Sequence, residues 1–288
     1  MKFGLRYCNT GRYVDPAKAV ELAQAGEAAG FESLWTVEHT VVPGGYGSTY
    51  PYAEGGKMAG GKDDLPLPDP LIWMAYVAAA TTRIKLATGI MILPQHNPVL
   101  VAKQVATLDH MSGGRVLLGI GVGWLKEEFE ALGVPFEERG RRMDEYMQAM
   151  RELWGEKPSF SGQFVRFKDA YCRPRPVNGT VPLIVGGHSE AAAKRAGRLG
   201  DGFFPARGAP AELFDLARKT AAAHGRDPAK LEITVGLPAS LDEIPALAKL
   251  GVARVLVPVG GMAGLASLID RPEDALEWRD TIARYATT

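Results

Sequence analysis

Glu38 and His39 stand side by side at the end of the apolar run FESLWTV (31–37), and a carboxylate next to an imidazole is a proton-handling pair. The carboxylate raises the histidine pKa, so the ring can give or take a proton near neutrality. The competing reading is a histidine held only by local hydrogen bonds. A second signal is Gly186-Gly187-His188-Ser189 after VPLIV. Two glycines let backbone N–H groups approach a ligand, Ser189 suits a helix N-cap, and a helix N-terminus favours an anion such as phosphate. A tight turn would use the same letters. Trp124, after Gly121-Val122-Gly123, has a ring to stack on a flat ligand or to serve as packing. Trp35 and Trp73 lie in core-like patterns.

Other chemistries fit poorly. The histidines at 39, 96, 110, 188 and 224 form no HxH or HExxH, so no metal site is expected. Asp109-His110 ends a helix that feeds the fourth strand, where His110 complements the helix dipole. No GxSxG elbow occurs, and Cys8 and Cys172 form no CxxC, which points to free thiols without a nucleophilic triad. Lysine plus arginine equal aspartate plus glutamate at 33 each. No net field therefore favours nucleic acid or an anionic membrane, and an anionic ligand needs a local site. The N-terminus lacks a signal-peptide core and no run of about eighteen apolar residues occurs. A cytoplasmic protein with a small-molecule organic substrate is expected.

The elements that must position these residues alternate. Strand-like runs at 2–7, 31–37, 83–93, 115–121, 181–187, 202–206, 231–237 and 253–259 are each followed by helical material. Eight such units predict a (β/α)₈ TIM barrel, a single domain over 1–288. A lid-like loop at about 43–68 and a small hairpin at about 159–177 interrupt the rhythm. A doubly wound sheet shares the alternation, but Gly119-Ile120-Gly121-Val122-Gly123-Trp124 lacks the last glycine of GxGxxG and follows the fourth strand instead of the first. Function in a barrel gathers at the C-terminal strand ends. Those ends are Tyr7 to Asn9, Glu38-His39, Thr88-Gly89-Ile90, Gly121 to Trp124, Gly186 to Ser189, Phe204-Pro205, and Pro258 with Gly260 and Gly261.

The runs SLWTVEHTVVP, LATGIMILPQHNPVLVAKQVATLDHMSGGRVLLGIGVGWLKEEFEALGVPFEERGRRMDE and GGHSEAAAKRAGRLGDGFF together resemble the bacterial luciferase-like monooxygenase superfamily, most of all its branch that uses the deazaflavin F420. The resemblance implies a barrel with a flavin or deazaflavin across the C-terminal mouth. It places His39 beside the reactive ring, with Glu38 as the neighbouring acid. Gly89-Ile90 matches a bulge after strand three, often with a non-prolyl cis peptide, that backs the ring. Gly186 and Gly187 match the turn that holds the cofactor phosphate. Thr88, Gly121, Gly123, Trp124, His188 and Ser189 complete the expected cofactor contacts.

One departure stands out: several F420 dehydrogenases carry a catalytic glutamate where this chain has Trp124. That argues against the sugar-phosphate dehydrogenase activity of that subgroup. Glu127 and Glu128 read as surface carboxylates of the next helix, which leaves His39 as the single protonic group at the ring. The resemblance implies hydride transfer between F420 and an organic substrate under the 43–68 loop. The alternatives are a two-component monooxygenase using reduced FMN and oxygen, and a non-catalytic cofactor-binding barrel. Relatives are commonly dimers, so a homodimer is expected.

Overall fold

The computed structural model describes residues 1–53, 55–58, 62–260 and 267–286. Eight parallel strands close into a barrel: β1 (Lys2–Arg6), β2 (Ser33–Thr36), β3 (Lys85–Thr88), β4 (Val116–Gly121), β5 (Leu183–Gly186), β6 (Gly202–Phe204), β7 (Glu232–Gly236) and β8 (Val252–Pro258). Each pairs with the next, Leu86 of β3 lies opposite Val116 of β4, and Lys2 opposite Arg254 joins β8 to β1. Strands covered on both faces read as continuous apolar runs, and all six residues of β4 (VLLGIG) are buried.

The connecting helices are α1 (Pro16–Ala29), α2 (Pro70–Ala78), α3 (Pro98–Ser112), α4 (Lys126–Ala131), α5 (Arg139–Leu153), α6 (Glu190–Leu199), α7 (Ala211–Ala223), α8 (Ile244–Lys249) and α9 (Arg279–Tyr285). The first three start alike, with proline at the first position and a side-chain cap from Asp15, Asp69 or Asn97. The last predicted helix divides into a 3₁₀ turn, Pro272–Trp278, followed by α9. The hairpin forms between Phe160–Ser161 and Arg166–Phe167. No described helix is long and apolar enough to cross a membrane.

Trp35, Ala87, Leu117, Ile184, Phe204 and Leu256 fill the barrel interior, and a larger cluster lies between the strands and the helices. After β3 the chain swings out at Gly89-Ile90 and returns as Met91–Ile92, which pairs with Ile120 and Gly121. The peptides of this bulge are trans, contrary to the cis bond that the resemblance suggested. The one cis peptide among the described residues is Arg173–Pro174. Gly261, and the lid positions 54 and 59–61, lie outside the described residues.

Candidate active site

The end of β2 does not deliver a Glu38–His39 pair. Neighbours in extended chain point to opposite sides, and the two side chains take different partners. Glu38 is buried. It accepts a hydrogen bond from the Ile92 N–H and meets His96 Nε2 at 3.0 Å, so it braces the bulge at Gly89-Ile90. His39 turns the other way, with Nδ1 3.0 Å from Glu128 Oε2. The other Glu128 oxygen accepts from the backbone N–H groups of Thr40 at 2.7 Å and Val41 at 3.2 Å.

Glu128 is thus no surface carboxylate, being 1% exposed. Helical spacing accounts for this, since residues three apart share a face: the buried N-cap Leu125 stands three residues before Glu128, and the adjoining Phe129 is buried as well. That pattern was the available signal, and the run of charges around it concealed the position. His96 was hidden differently, because it lies 58 residues from its partner.

Burial raises the Glu128 pKa, but the His39 hydrogen bond and charge outweigh it, and the carboxyl is held below its usual range. An ionised Glu128 fixes the proton on His39 Nδ1 and leaves Nε2 as the nitrogen free for a ligand. For His96, burial acts to lower the pKa, and the bond and charge of Glu38 outweigh it, so the ring stays protonated to higher pH than usual.

A cavity of about 720 Å³ opens over these residues, within the range of small-molecule sites. Its walls include Glu38, His39, Gly89, Ile90, Gly121, Gly123, Trp124, Gly186 and Gly187, with Arg6 and Tyr7 from the end of β1. The lid covers it with Thr49 to Ala53, Met58 and Leu67. Trp124 is the joint between lid and barrel: its ring packs edge-on to His39 at 5.8 Å, Tyr46 at 5.4 Å and Tyr50 at 5.1 Å. Glu127, next to Glu128, accepts from the N–H groups of Gly47 at 2.7 Å and Ser48 at 3.0 Å. The Ser48 hydroxyl bond leads the effects that bring the Glu127 pKa down to about 2. The first turn of α4 therefore holds both the lid and the histidine.

One expected contributor stands elsewhere. Thr88 is buried within the sheet, its hydroxyl donating to the Gly119 carbonyl at 2.6 Å, and it does not line the cavity. Cys8 is fully buried and its thiol is raised to about 12 by burial, which leaves it inert as a nucleophile.

A second space, about 650 Å³, adjoins the first and shares Tyr52, Val122, Arg139, Gly186, Gly187 and Arg207 with it. His188, Ser189 and Arg195 complete one side. Ser189 caps α6 by accepting from the Ala192 N–H at 3.2 Å. Gly187 adopts φ +133°, open to glycine. Its own N–H is committed to the Phe204 carbonyl at 3.1 Å, so the ligand-facing donors lie further on, at the start of α6. The His188 N–H meets the Tyr52 hydroxyl from the lid. A helix N-terminus flanked by Arg139 and Arg207, with Arg195 (paired to Asp144) and Glu137 on the same rim, suits a phosphate, and the broad cavity beside it suits a flat ring. The residues present therefore fit a phosphate-bearing flavin or deazaflavin.

A family model for luciferase-like monooxygenases matches residues 4–284. The chain belongs to the luciferase-like monooxygenase family. An uncharacterized protein of Mycobacterium tuberculosis is 34% identical to this luciferase-like chain over 260 residues, 89% of this chain and 91% of that protein. An F420-dependent glucose-6-phosphate dehydrogenase of Kineococcus radiotolerans is 30% identical over 254 residues, 85% and 70% of the two chains. The crystal structure of monooxygenase RslO1 from Streptomyces bottropensis superposes with a TM-score of 0.64 at 28% identity, covering 87% of this chain and 75% of its own. The luciferase-like chain is accordingly an oxidoreductase.

Proposed function

We propose that this enzyme transfers hydride between F420 and a small organic substrate at the barrel mouth. One arrangement carries the reading: an anion cradle at the start of α6 adjoins a roofed cavity in which His39 is held by Glu128 with Nε2 free. When bound, F420 supplies a two-electron hydride carrier. The chain's residues supply the rest. Ser189 and the first turn of α6, with Arg139 and Arg195, would hold the phosphate. Gly89, Ile90, Gly121 and Gly123 would form the wall against the ring, and Glu38 keeps that wall in place through Ile92 and His96. His39 Nε2 takes or returns the proton on the substrate oxygen as hydride moves, and Glu128 stabilises the imidazolium that results. The Trp124–Tyr50 roof excludes water.

The monooxygenase relative motivates a second reading, reduced FMN with oxygen, because both cofactors carry a phosphate on the side chain. Fluorescence titration of the apoprotein with F420 and with FMN separates them. F420 is expected to bind at least about tenfold more tightly. The reverse order would overturn the F420 assignment.

A further inference from the structure

Arg6 ends β1 and faces the inside of the barrel. A Cβ at Gly4 would lie 2.8 Å from Leu256 Cδ2 in the interior, so Gly4 points inward, and Arg6, two residues on, points the same way. Its guanidinium stands in the top layer and lines the mouth cavity. Gly236, at the end of β7, faces it. A Cβ there would come within 3.1 Å of Arg6 Nη1, so the missing side chain leaves the guanidinium its room.

Other buried arginines on or beside the strands are fully engaged. Arg254 donates to Glu32, Glu232 and Thr234, and Arg115 to Thr81 and four backbone carbonyls. Among the described residues Arg6 has no carboxylate partner, and its Nε is shut away from solvent without an acceptor. Its neighbour is the Tyr7 ring, 4.9 Å from the guanidinium carbon, and Tyr7 adopts φ +68°, a left-handed backbone rare for a non-glycine residue. A buried N–H without an acceptor is costly, and backbone strain such as that at Tyr7 gathers at ligand sites.

The charge balance of the cavity agrees. Its described walls carry the guanidiniums of Arg6, Arg139 and Arg207, and Glu38 as a carboxylate. Glu38 is already committed to Ile92 and His96. Arg139 and Arg207 also border the phosphate cradle, whereas Arg6 borders only the inner cavity. Tyr50 overhangs this side. Burial, above all, raises its hydroxyl to about 12, against the opposing pull of Arg207 and Arg6, so it remains a neutral donor beside them.

We propose that the substrate carries an anionic group, a carboxylate or a phosphate, and that Arg6 anchors it beneath Tyr50, away from the cofactor cradle. A guanidinium presents paired N–H groups to either oxyanion, and binding would satisfy the orphaned Nε face. This inference rests on the reading of the mouth as the substrate site.

The test is calorimetric titration of the apoprotein with benzoate, phenyl phosphate and benzyl alcohol, for the wild type, R6Q and G236A. The wild type is expected to prefer at least one anion to the alcohol by about tenfold or more, and the stronger anion identifies the group. R6Q should abolish the preference while shifting F420 affinity by less than about threefold. G236A, which crowds the guanidinium from the facing strand, should weaken the same anion with Arg6 intact. No anion preference in the wild type, an unchanged preference in R6Q, or an equal loss of F420 in R6Q would overturn the proposal. Anion selectivity without any F420 binding would instead overturn the hydride-transfer reading and leave the Arg6 anchor standing.

Discussion

At the residue scale, His39 and Glu128 divide one task. Removing the ring in His39→Ala should lower kcat by about 10²- to 10⁴-fold, the usual share of a positioned acid–base group. F420 affinity, read by fluorescence titration, should stay nearly constant. Glu128→Gln keeps the shape of the contact and removes the charge that favours the imidazolium. Its expected signature is a kcat loss of about tenfold or more with little change in KM. A Glu128→Gln enzyme with unaltered kcat would reduce the carboxylate to a structural brace for Thr40 and Val41. Neither role was legible from the adjacency of Glu38 and His39. Side chains at successive extended positions diverge, so the partners came from residues 96 and 128, which only the closed barrel brings near.

Elements explain why those partners arrive. The bulge at Gly89-Ile90 hangs from Glu38 through Ile92 and His96, and its dependence on pH follows from the His96 shift. A histidine whose folded pKa is raised contributes stability that is full below the ordinary midpoint of about 6.5 and fades as pH rises through the raised value. Thermal unfolding of the wild type should therefore lose this contribution on the alkaline side. His96→Gln should be less stable than the wild type at pH 6 and should approach it at higher pH. A constant gap between them at all pH values would sink the ion-pair account. The first turn of α4 works in parallel on the lid. Glu127→Ala removes the acceptor for Gly47 and Ser48, and faster hydrogen exchange at residues 44–50 with unchanged exchange in β4 is the expected outcome. The strand and helix succession was readable because periodicity and caps are local. The lid's attachment was not, because Glu127 is 80 residues from Gly47.

At the scale of the whole molecule, eight alternating units announced the barrel, yet they said nothing of what seals its floor. Arg254 is fully buried there. It binds both oxygens of Glu32, one of Glu232 and the Thr234 hydroxyl. Sequence patterning conceals this, since Arg254 interrupts the apolar run of β8 and its carboxylates open two other strands. Burial raises the Glu32 pKa, but the Arg254 bond and charge outweigh it, taking it from 4.5 to about 2. Glu232 is lowered as well, burial again being outweighed by Lys2 and Arg254. For a depressed carboxyl the stability is present above the ordinary pKa and is lost as pH falls through the folded value. The Glu32 shift corresponds to about 3 kcal/mol at pH 7, lost mostly between about pH 4.5 and 2. Arg254→Met removes the shared buried cation, leaving Glu32 to Lys85 and Glu232 to Lys2 alone, and should cost up to about 3 kcal/mol at pH 7. In the same variant the acid limb should flatten, because the carboxylates gain less by staying ionised. Urea unfolding at pH 7 and pH 3.5 measures both effects. If Arg254→Met loses as much stability on acidification as the wild type, the acid sensitivity of this barrel resides in other carboxylates, and the floor network is not its source.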